Sequence, residues 1–210
     1  MRKKSILKKS LLASAVLAVL VGFSPAANAV TLDFVAEAAG DERGLMDGDV
    51  INFSGLNVTF SATGGSAYFD DLSGGKPAGL GVCTTLNSGL QCTPSSDDNI
   101  TAGEAVKLAF FDAPVDFSGL YFYGSDHDPV IGTDTLLIAI NGGMLSSISF
   151  GAASAAVYSS IDSIEFGYDG HQFYIGGASA VVPIPAALPL FGTGLALMGF
   201  LGWRRKQKLV

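Results

Sequence analysis

Residues 115–124, VDFSGLYFYG, decide the fold class of this 210-residue chain because apolar and polar side chains alternate along them. Successive side chains of a β-strand point to opposite faces of the sheet, so a two-residue period indicates a strand with one buried face. The period places five residues on one face: Val115, Phe117, Gly119, Tyr121 and Tyr123. We predict a strand here, with its aromatic rings buried against a second sheet.

Similar short runs recur along the chain, separated by turn-forming sequences such as TGGS, SGGKPAG and NSG. The runs cover 31–35, 49–53, 56–61, 106–111, 115–123, 135–140, 145–150, 161–168 and 172–175. Asn141-Gly142 between two of them is a typical hairpin signal. No convincing helical stripe is present, although the composition of residues 152–158 is ambiguous. The series predicts an all-β fold, a single jelly-roll-like β-sandwich.

The first 29 residues have the organisation of a secretory signal peptide. Five basic residues precede an apolar stretch at 11–23, and Ala27-Asn28-Ala29 supplies a small-residue cleavage site. An uncleaved N-terminal anchor is the alternative, but the apolar stretch is short and a cleavage site follows it. We therefore predict cleavage after Ala29, with Val30 as the first residue of the exported protein.

The C-terminal end predicts a membrane segment. Residues 186–203 are 18 residues without a charge, followed directly by Arg204, Arg205 and Lys206. A helix rises about 1.5 Å per residue and a bilayer core is roughly 30 Å thick, so this run is near the minimum for one crossing. A buried core helix is the alternative, but the basic cluster at 204–208 is typical of the cytoplasmic side of a membrane helix.

The order of these tail features resembles a PEP-CTERM sorting domain. Its Pro-rich motif corresponds to Val182, Pro183, Ile184 and Pro185, in the VPLPA-type variant where an aliphatic residue replaces Glu between the prolines. The resemblance implies recognition and cleavage by an exosortase, an integral membrane peptidase, and an association with exopolysaccharide. The chain is then divided into a signal peptide (1–29), an exported all-β domain (30–181) and a sorting tail (182–208).

The charges of the exported domain exclude nucleic acid as a partner. All 19 acidic residues lie in it, against three basic residues, Arg43, Lys76 and Lys107, so its formal charge is −16. Such a surface repels polyanions and attracts divalent cations or basic partners. A solvated acidic face without a specific ligand is the alternative.

Three acidic clusters are candidate calcium ligands, since calcium binds six to eight oxygen atoms. We predict the site in SSDDNITAGE, through Asp97, Asp98, Asn99 and Glu104. The other clusters are GSDHDP, with Asp126, His127 and Asp128, and the pair Asp70-Asp71. None of them has EF-hand spacing, so any site would combine several loops.

Cys83 and Cys92 are the chain's two cysteines, and both belong to the exported domain. An even pair in an oxidising compartment predicts a disulfide, and the intervening Asn87-Ser88-Gly89 can reverse the chain.

Two functions fit these features. The first is a non-enzymatic structural protein of the cell surface or extracellular matrix, exported, held by its tail and processed by an exosortase-like peptidase. The second is a secreted carbohydrate-binding module or carbohydrate-active enzyme with the same anchor, suggested by the aromatic residues at 121–123 and 168–174. Catalysis is not predicted, because no G-x-S-x-G motif accompanies the two histidines, His127 and His171.

Overall fold

The structure, a computed structural model, describes residues 28–72 and 74–182, together with residues 191, 192, 194–196, 198 and 199. Between residues 28 and 182, the described residues form two short helices, α1 (Phe34–Ala38) and α2 (Phe150–Ala155). The strands of the described residues are β1 (Asn28–Asp33), β2 (Arg43–Gly44), β3 (Val50–Phe53), β4 (Leu56–Thr63), β5 (Ser66–Asp70), β6 (Gly79–Cys83), β7 (Ala105–Ala109), β8 (Val115–Gly124), β9 (Thr135–Ile140), β10 (Ser146–Ser149), β11 (Val157–Ile161), β12 (Ser163–Asp169) and β13 (Phe173–Val182).

The strands form two antiparallel sheets that pack as a β-sandwich, which confirms the all-β prediction. Sheet A has the order β11-β8-β13-β6-β5-β2, with β1 paired to β13 beyond the end of β6. Sheet B has the order β10-β9-β12-β7-β4-β3. Most neighbouring strands are distant in sequence, so the fold depends on long-range pairing.

The core between the sheets is rich in phenylalanine. Phe34 from α1 packs edge-on against Phe53 and Phe60 of sheet B, with ring centroids 5.8 Å and 6.1 Å away. Phe122 of sheet A similarly meets Phe150 of α2 at 5.1 Å. Burying each ring contributes roughly 1.5–3 kcal/mol, so Phe34 and Phe150 hold the two helices against the core.

Strand β8 corrects the predicted face of residues 115–124. Val115 and Phe117 lie in the core, but so do Leu120 and Phe122, whereas Tyr121 and Tyr123 do not. The prediction of one continuous face was wrong because Gly119, with φ at 64°, begins a β-bulge. One extra residue of β8 is accommodated between the pairs Ser118–Ser179 and Tyr121–Gly177, and this reverses the alternation.

The helices correct the ends of two predicted strands. The predicted strand 31–35 ends at Asp33, whose carboxylate accepts a hydrogen bond from Ala36 N (3.0 Å) and caps α1. The predicted strand 145–150 ends at Ser149, which caps α2 through Ala152 N (3.2 Å). Asp and Ser are preferred N-cap residues, so at both positions a helix begins where the sequence pattern predicted that the strand would continue.

Four strands of sheet A were missed by the sequence analysis, namely β2, β5, β6 and β11. The sequences of β5 and β6, SAYFD and GLGVC, carry glycine and alanine in place of a clear alternation of β-branched residues. The hairpin prediction at Asn141-Gly142 is confirmed, because β9 and β10 pair on either side of it. Asn141 Oδ1 also accepts hydrogen bonds from the backbone of Asp162 (2.7 Å) and Ser163 (3.2 Å).

The predicted targeting segments lie largely outside the described residues. This holds for residues 1–27, for Pro183, Ile184 and Pro185, and for the basic cluster with Arg204, Arg205 and Lys206. Within the predicted membrane segment 186–203, the described residues between 191 and 199 are helical. Among the residues that the structure describes, no helix has the length and apolarity needed to span a bilayer.

Candidate functional site

The outer face of sheet A carries a group of polar side chains where β5 and β13 flank β6. Phe69 of β5 and Phe173 of β13 point into the core. By the alternation of a strand, Tyr68, Asp70 and Tyr174 point to the opposite face, and all three are nevertheless buried. Something must therefore cover this face of the sheet.

The cover is the connection between β6 and β7, residues 84–104, which we call the disulfide loop. The predicted disulfide between Cys83 and Cys92 is confirmed, with a Cα–Cα distance of 5.7 Å. Both cysteines pack with Tyr68 in a small apolar cluster separate from the main core. A Cβ at Gly81 would overlap the carbonyl oxygen of Asp98, so the loop backbone lies directly on β6. Glycine is required there by this close approach.

Three carboxylates meet beneath the disulfide loop. Glu42, Asp70 and Asp98 each offer an oxygen atom, and these atoms all lie within 4.8 Å of one another. Asp70 is 8% exposed and Asp98 6% exposed, while Glu42 is half-buried. They border a polar cleft of about 400 Å³ whose other lining residues include Ser95, Ser96, Asn99, Ser125 and His127. Among the described residues, these three form the group of acidic side chains with the spacing needed to hold a metal ion.

Two tyrosines hold two of these carboxylates. Tyr68 Oη donates to Glu42 Oε1 at 2.7 Å, and Tyr174 Oη donates to Asp98 Oδ1 at 2.5 Å. Burial and these hydrogen bonds raise the pKa of both tyrosines, so both remain donors. Each carboxylate thus keeps one oxygen fixed and leaves its second oxygen for another partner.

Asp70 is the least satisfied member of the group. Its Oδ2 atom is buried and has no hydrogen-bond partner. His127 Nε2 lies 3.4 Å away, beyond the usual N–H···O distance of about 2.7–3.2 Å. Burial, with a contribution from the charge of Asp98, raises the pKa of Asp70 to about 7. Burial also raises the pKa of Asp98. The cleft therefore concentrates negative charge that the protein itself balances poorly.

His127 turns one ring nitrogen towards the cleft. Its Nδ1 lies 3.2 Å from the carbonyl oxygen of Lys76. Because a carbonyl oxygen only accepts, Nδ1 carries a hydrogen and donates it, while Nε2 faces Asp70 Oδ2 at 3.4 Å. Lys76 is itself engaged with Asp128 through a 2.8 Å ion pair.

The structure divides the four predicted calcium ligands between two places. Asp97 accepts from the backbone of Thr84 at 3.3 Å, and Glu104 accepts from the Thr84 hydroxyl at 3.1 Å and from Thr101 N at 2.8 Å. Burial raises the pKa of Glu104. Asp98 and Asn99 instead line the cleft. Calcium binding by all four residues stays a prediction.

The cleft combines residues from all three acidic clusters of the sequence. Asp98 and Asn99 come from SSDDNITAGE, His127 from GSDHDP and Asp70 from the Asp70-Asp71 pair. Glu42 was missed, because it stands between Asp41 and Arg43 in an ordinary charged turn and carries no distinguishing signal.

Tyr121 and Tyr123 lie elsewhere on the outer face of sheet A. Their rings meet edge-on, 6.0 Å apart, over β13, where a Cβ at Gly176 would overlap the Tyr121 ring. Tyr121 is 36% exposed and its Oη lies 3.4 Å from Asp33 Oδ1. Burial and the charge of Asp33 raise the pKa of Tyr121 to about 12.

Comparison with known proteins identifies no relative. No protein family model, no curated protein and no solved structure matches the chain. The resemblance of residues 182–208 to a PEP-CTERM tail therefore stays a prediction.

Proposed function

We propose that this chain is an exported structural protein of the cell surface or extracellular matrix, anchored in the inner membrane by its tail and processed by an exosortase-like peptidase. The observation that carries the proposal is the order of features after β13. Val182 ends the strand, the motif continues through Pro183, Ile184 and Pro185, and an uncharged run with a basic cluster follows. The proposed partners are this peptidase, the membrane and matrix polysaccharide.

The domain's two ends support this proposal. Asn28 pairs with Val182 and Ala29 with Val181, so the first and last strands of the domain end side by side. The predicted signal cleavage after Ala29 would remove the β1 partners of Val181 and Val182. Processing at the front of the chain would then expose the strand that leads into the sorting motif.

We also propose that the two sheets form a jelly-roll-like sandwich. From β6 onwards the chain passes repeatedly from one sheet to the other, as double-sheet jelly rolls do. The acidic domain surface suits a role outside the cell, where divalent cations can bridge it to anionic polysaccharide.

The experiment is intact-mass analysis of cell-associated and released protein from an exosortase-positive host. The parent is expected to begin at Val30 and to lose its tail near the motif. A variant with Pro183→Ala and Pro185→Ala should stay anchored and keep its tail, whereas the control Pro189→Ala, outside the motif, should be processed like the parent. Equal processing and release of the motif variant and the parent would contradict the proposal.

A carbohydrate-binding module is the second candidate, and the partly exposed Tyr121 ring beside Asp33 favours it. Sugars stack on exposed aromatic rings, so Tyr121→Ala should abolish retention on the host's exopolysaccharide while Tyr121→Phe retains it. Equal retention of the Ala variant and the parent would remove this candidate.

A further inference from the structure

We propose that Glu42, Asp70 and Asp98 bind a calcium ion in the cleft beneath the disulfide loop. The site differs from the one predicted from sequence: among its three carboxylates only Asp98 is shared, with Asn99 beside it, whereas Asp97 and Glu104 bond to Thr84. It is independent of the sorting tail and of the proposed function.

The spacing of the three carboxylates fits a single ion. Their nearest oxygen atoms lie within 4.8 Å of one another. Calcium binds oxygen ligands at about 2.3–2.6 Å, so two oxygens on opposite sides of one ion are about 4.6–5.2 Å apart. The three carboxylates are therefore close enough to share one ion. Three carboxylates this close repel one another unless a cation lies between them.

The hydrogen bonds around the cleft orient the carboxylates without using all their oxygens. Tyr68 and Tyr174 each fix one oxygen, at Glu42 and Asp98 respectively. Partners of this kind hold a ligand's orientation and are typical of metal sites. The free oxygens then remain available to an ion.

Two buried acceptors without partners also point to a missing ligand. Asp70 Oδ2 and Asn99 Oδ1 are both buried and unpaired, and Asn99 is only 5% exposed. Buried polar atoms nearly always have a hydrogen-bond partner, so each unpaired atom calls for an explanation. Asn99 lines the same cleft as the carboxylates, and amide oxygens are ordinary calcium ligands.

The surrounding residues favour calcium over zinc. The donors are oxygen atoms apart from His127 Nε2, and both cysteines are held in the disulfide. Zinc in structural sites prefers thiolate and imidazole ligands in a tetrahedron. Basic side chains nearby are engaged elsewhere, since Arg43 pairs with Glu37 and Asp41. A bound cation would supply the missing positive charge.

Terbium luminescence on the full-length chain in detergent tests the site directly. Terbium(III) substitutes for calcium in oxygen sites, and Tyr68 and Tyr174 are close enough to transfer excitation energy to it. The parent should show tyrosine-sensitised terbium emission, and added calcium should abolish it by displacing the terbium.

Asp70→Asn should weaken calcium binding at least about tenfold. Loss of a residue that only supports a metal ligand already weakens binding by about 10–100-fold, and Asp70 is proposed as a ligand itself. The matched control Asp97→Asn, in the same loop but bonded to Thr84, should bind like the parent.

Thermal unfolding shows whether a loss of binding reflects misfolding. The parent's melting temperature should rise in millimolar calcium relative to chelator, because a ligand of the folded state stabilises it. Asp70→Asn should be at least as stable as the parent in chelator, since it removes one of three crowded carboxyl groups. It should show no rise in melting temperature on adding calcium. The proposal is overturned if the parent does not respond to calcium, if Asp70→Asn responds equally, or if Asp97→Asn alone loses the response.

Discussion

The hydroxyl of Tyr174 donates a 2.5 Å hydrogen bond to Asp98 Oδ1, joining strand β13 of sheet A to the disulfide loop that covers the sheet. Tyr174 belongs to β13, which pairs with β1, β6 and β8. Asp98 belongs to the disulfide loop, 76 positions earlier in the chain. Both side chains are buried, so this bond fixes one carboxylate of the cleft relative to the rigid sheet.

Replacing Tyr174 by Phe should lower the free energy of unfolding by about 1–3 kcal/mol, because a buried acceptor, Asp98 Oδ1, loses its donor. Chemical denaturation of parent and variant measures the difference. Tyr158→Phe is the matched control, since the buried Tyr158 hydroxyl has no hydrogen-bond partner. Its removal should leave stability unchanged or slightly higher. Equal losses in both variants would show that ring packing, not the hydrogen bond, is affected.

Removing the disulfide with Cys83→Ala and Cys92→Ala should lower the free energy of unfolding by about 2–3 kcal/mol, the value expected for closing so short a loop in the unfolded chain. Urea denaturation of oxidised parent, reduced parent and double variant measures this effect. The reduced parent should match the variant. Alkylation of both cysteines in native, unreduced protein would contradict the disulfide itself.

Gly81→Ala should destabilise the domain by about 1–3 kcal/mol, because its Cβ would overlap the carbonyl oxygen of Asp98 and lift the disulfide loop. Gly167→Ala in β12 is the control, since its Cβ would meet its nearest atom at an ordinary 3.5 Å. This control should be neutral or gain up to about 1 kcal/mol from reduced backbone freedom in the unfolded chain. Thermal unfolding of the two variants side by side distinguishes loop displacement from a general effect of glycine loss.

Tyr121 should make stability fall at alkaline pH. Its pKa is raised from 10.0 to about 12 in the folded state, so the unfolded chain loses this proton first. Its contribution is fully present below pH of about 10 and is lost as the pH rises through about 12. The urea midpoint of the parent should therefore decline more steeply over this range than that of Tyr121→Phe. Parallel pH profiles would contradict the folded-state shift.

The fold class was predictable from sequence, but the facing of β8 was not. Alternation identifies a strand wherever one face is buried, and residues 115–124 satisfied that pattern. Which aromatic residues entered the core depended on the bulge at Gly119 and on the register with β13. A glycine in a strand permits a bulge, but the partner strand decides whether it forms, and that partner lies some 60 positions later in the sequence.

The sequence by itself determined the charge of the β-domain, the pairing of its two cysteines and the strand-rich character of the chain, because these depend on composition and local pattern. The cleft was decided only by tertiary structure. Glu42, Asp70, Asp98 and His127 come from four separate connections or strand ends. The sequence marks three of them as members of separate acidic clusters but does not show that these clusters meet, and it gives no signal for Glu42. They meet because β13, β6 and β5 lie side by side in sheet A and the disulfide loop folds over them. Such convergence depends on long-range strand pairing, which local residue preferences do not encode.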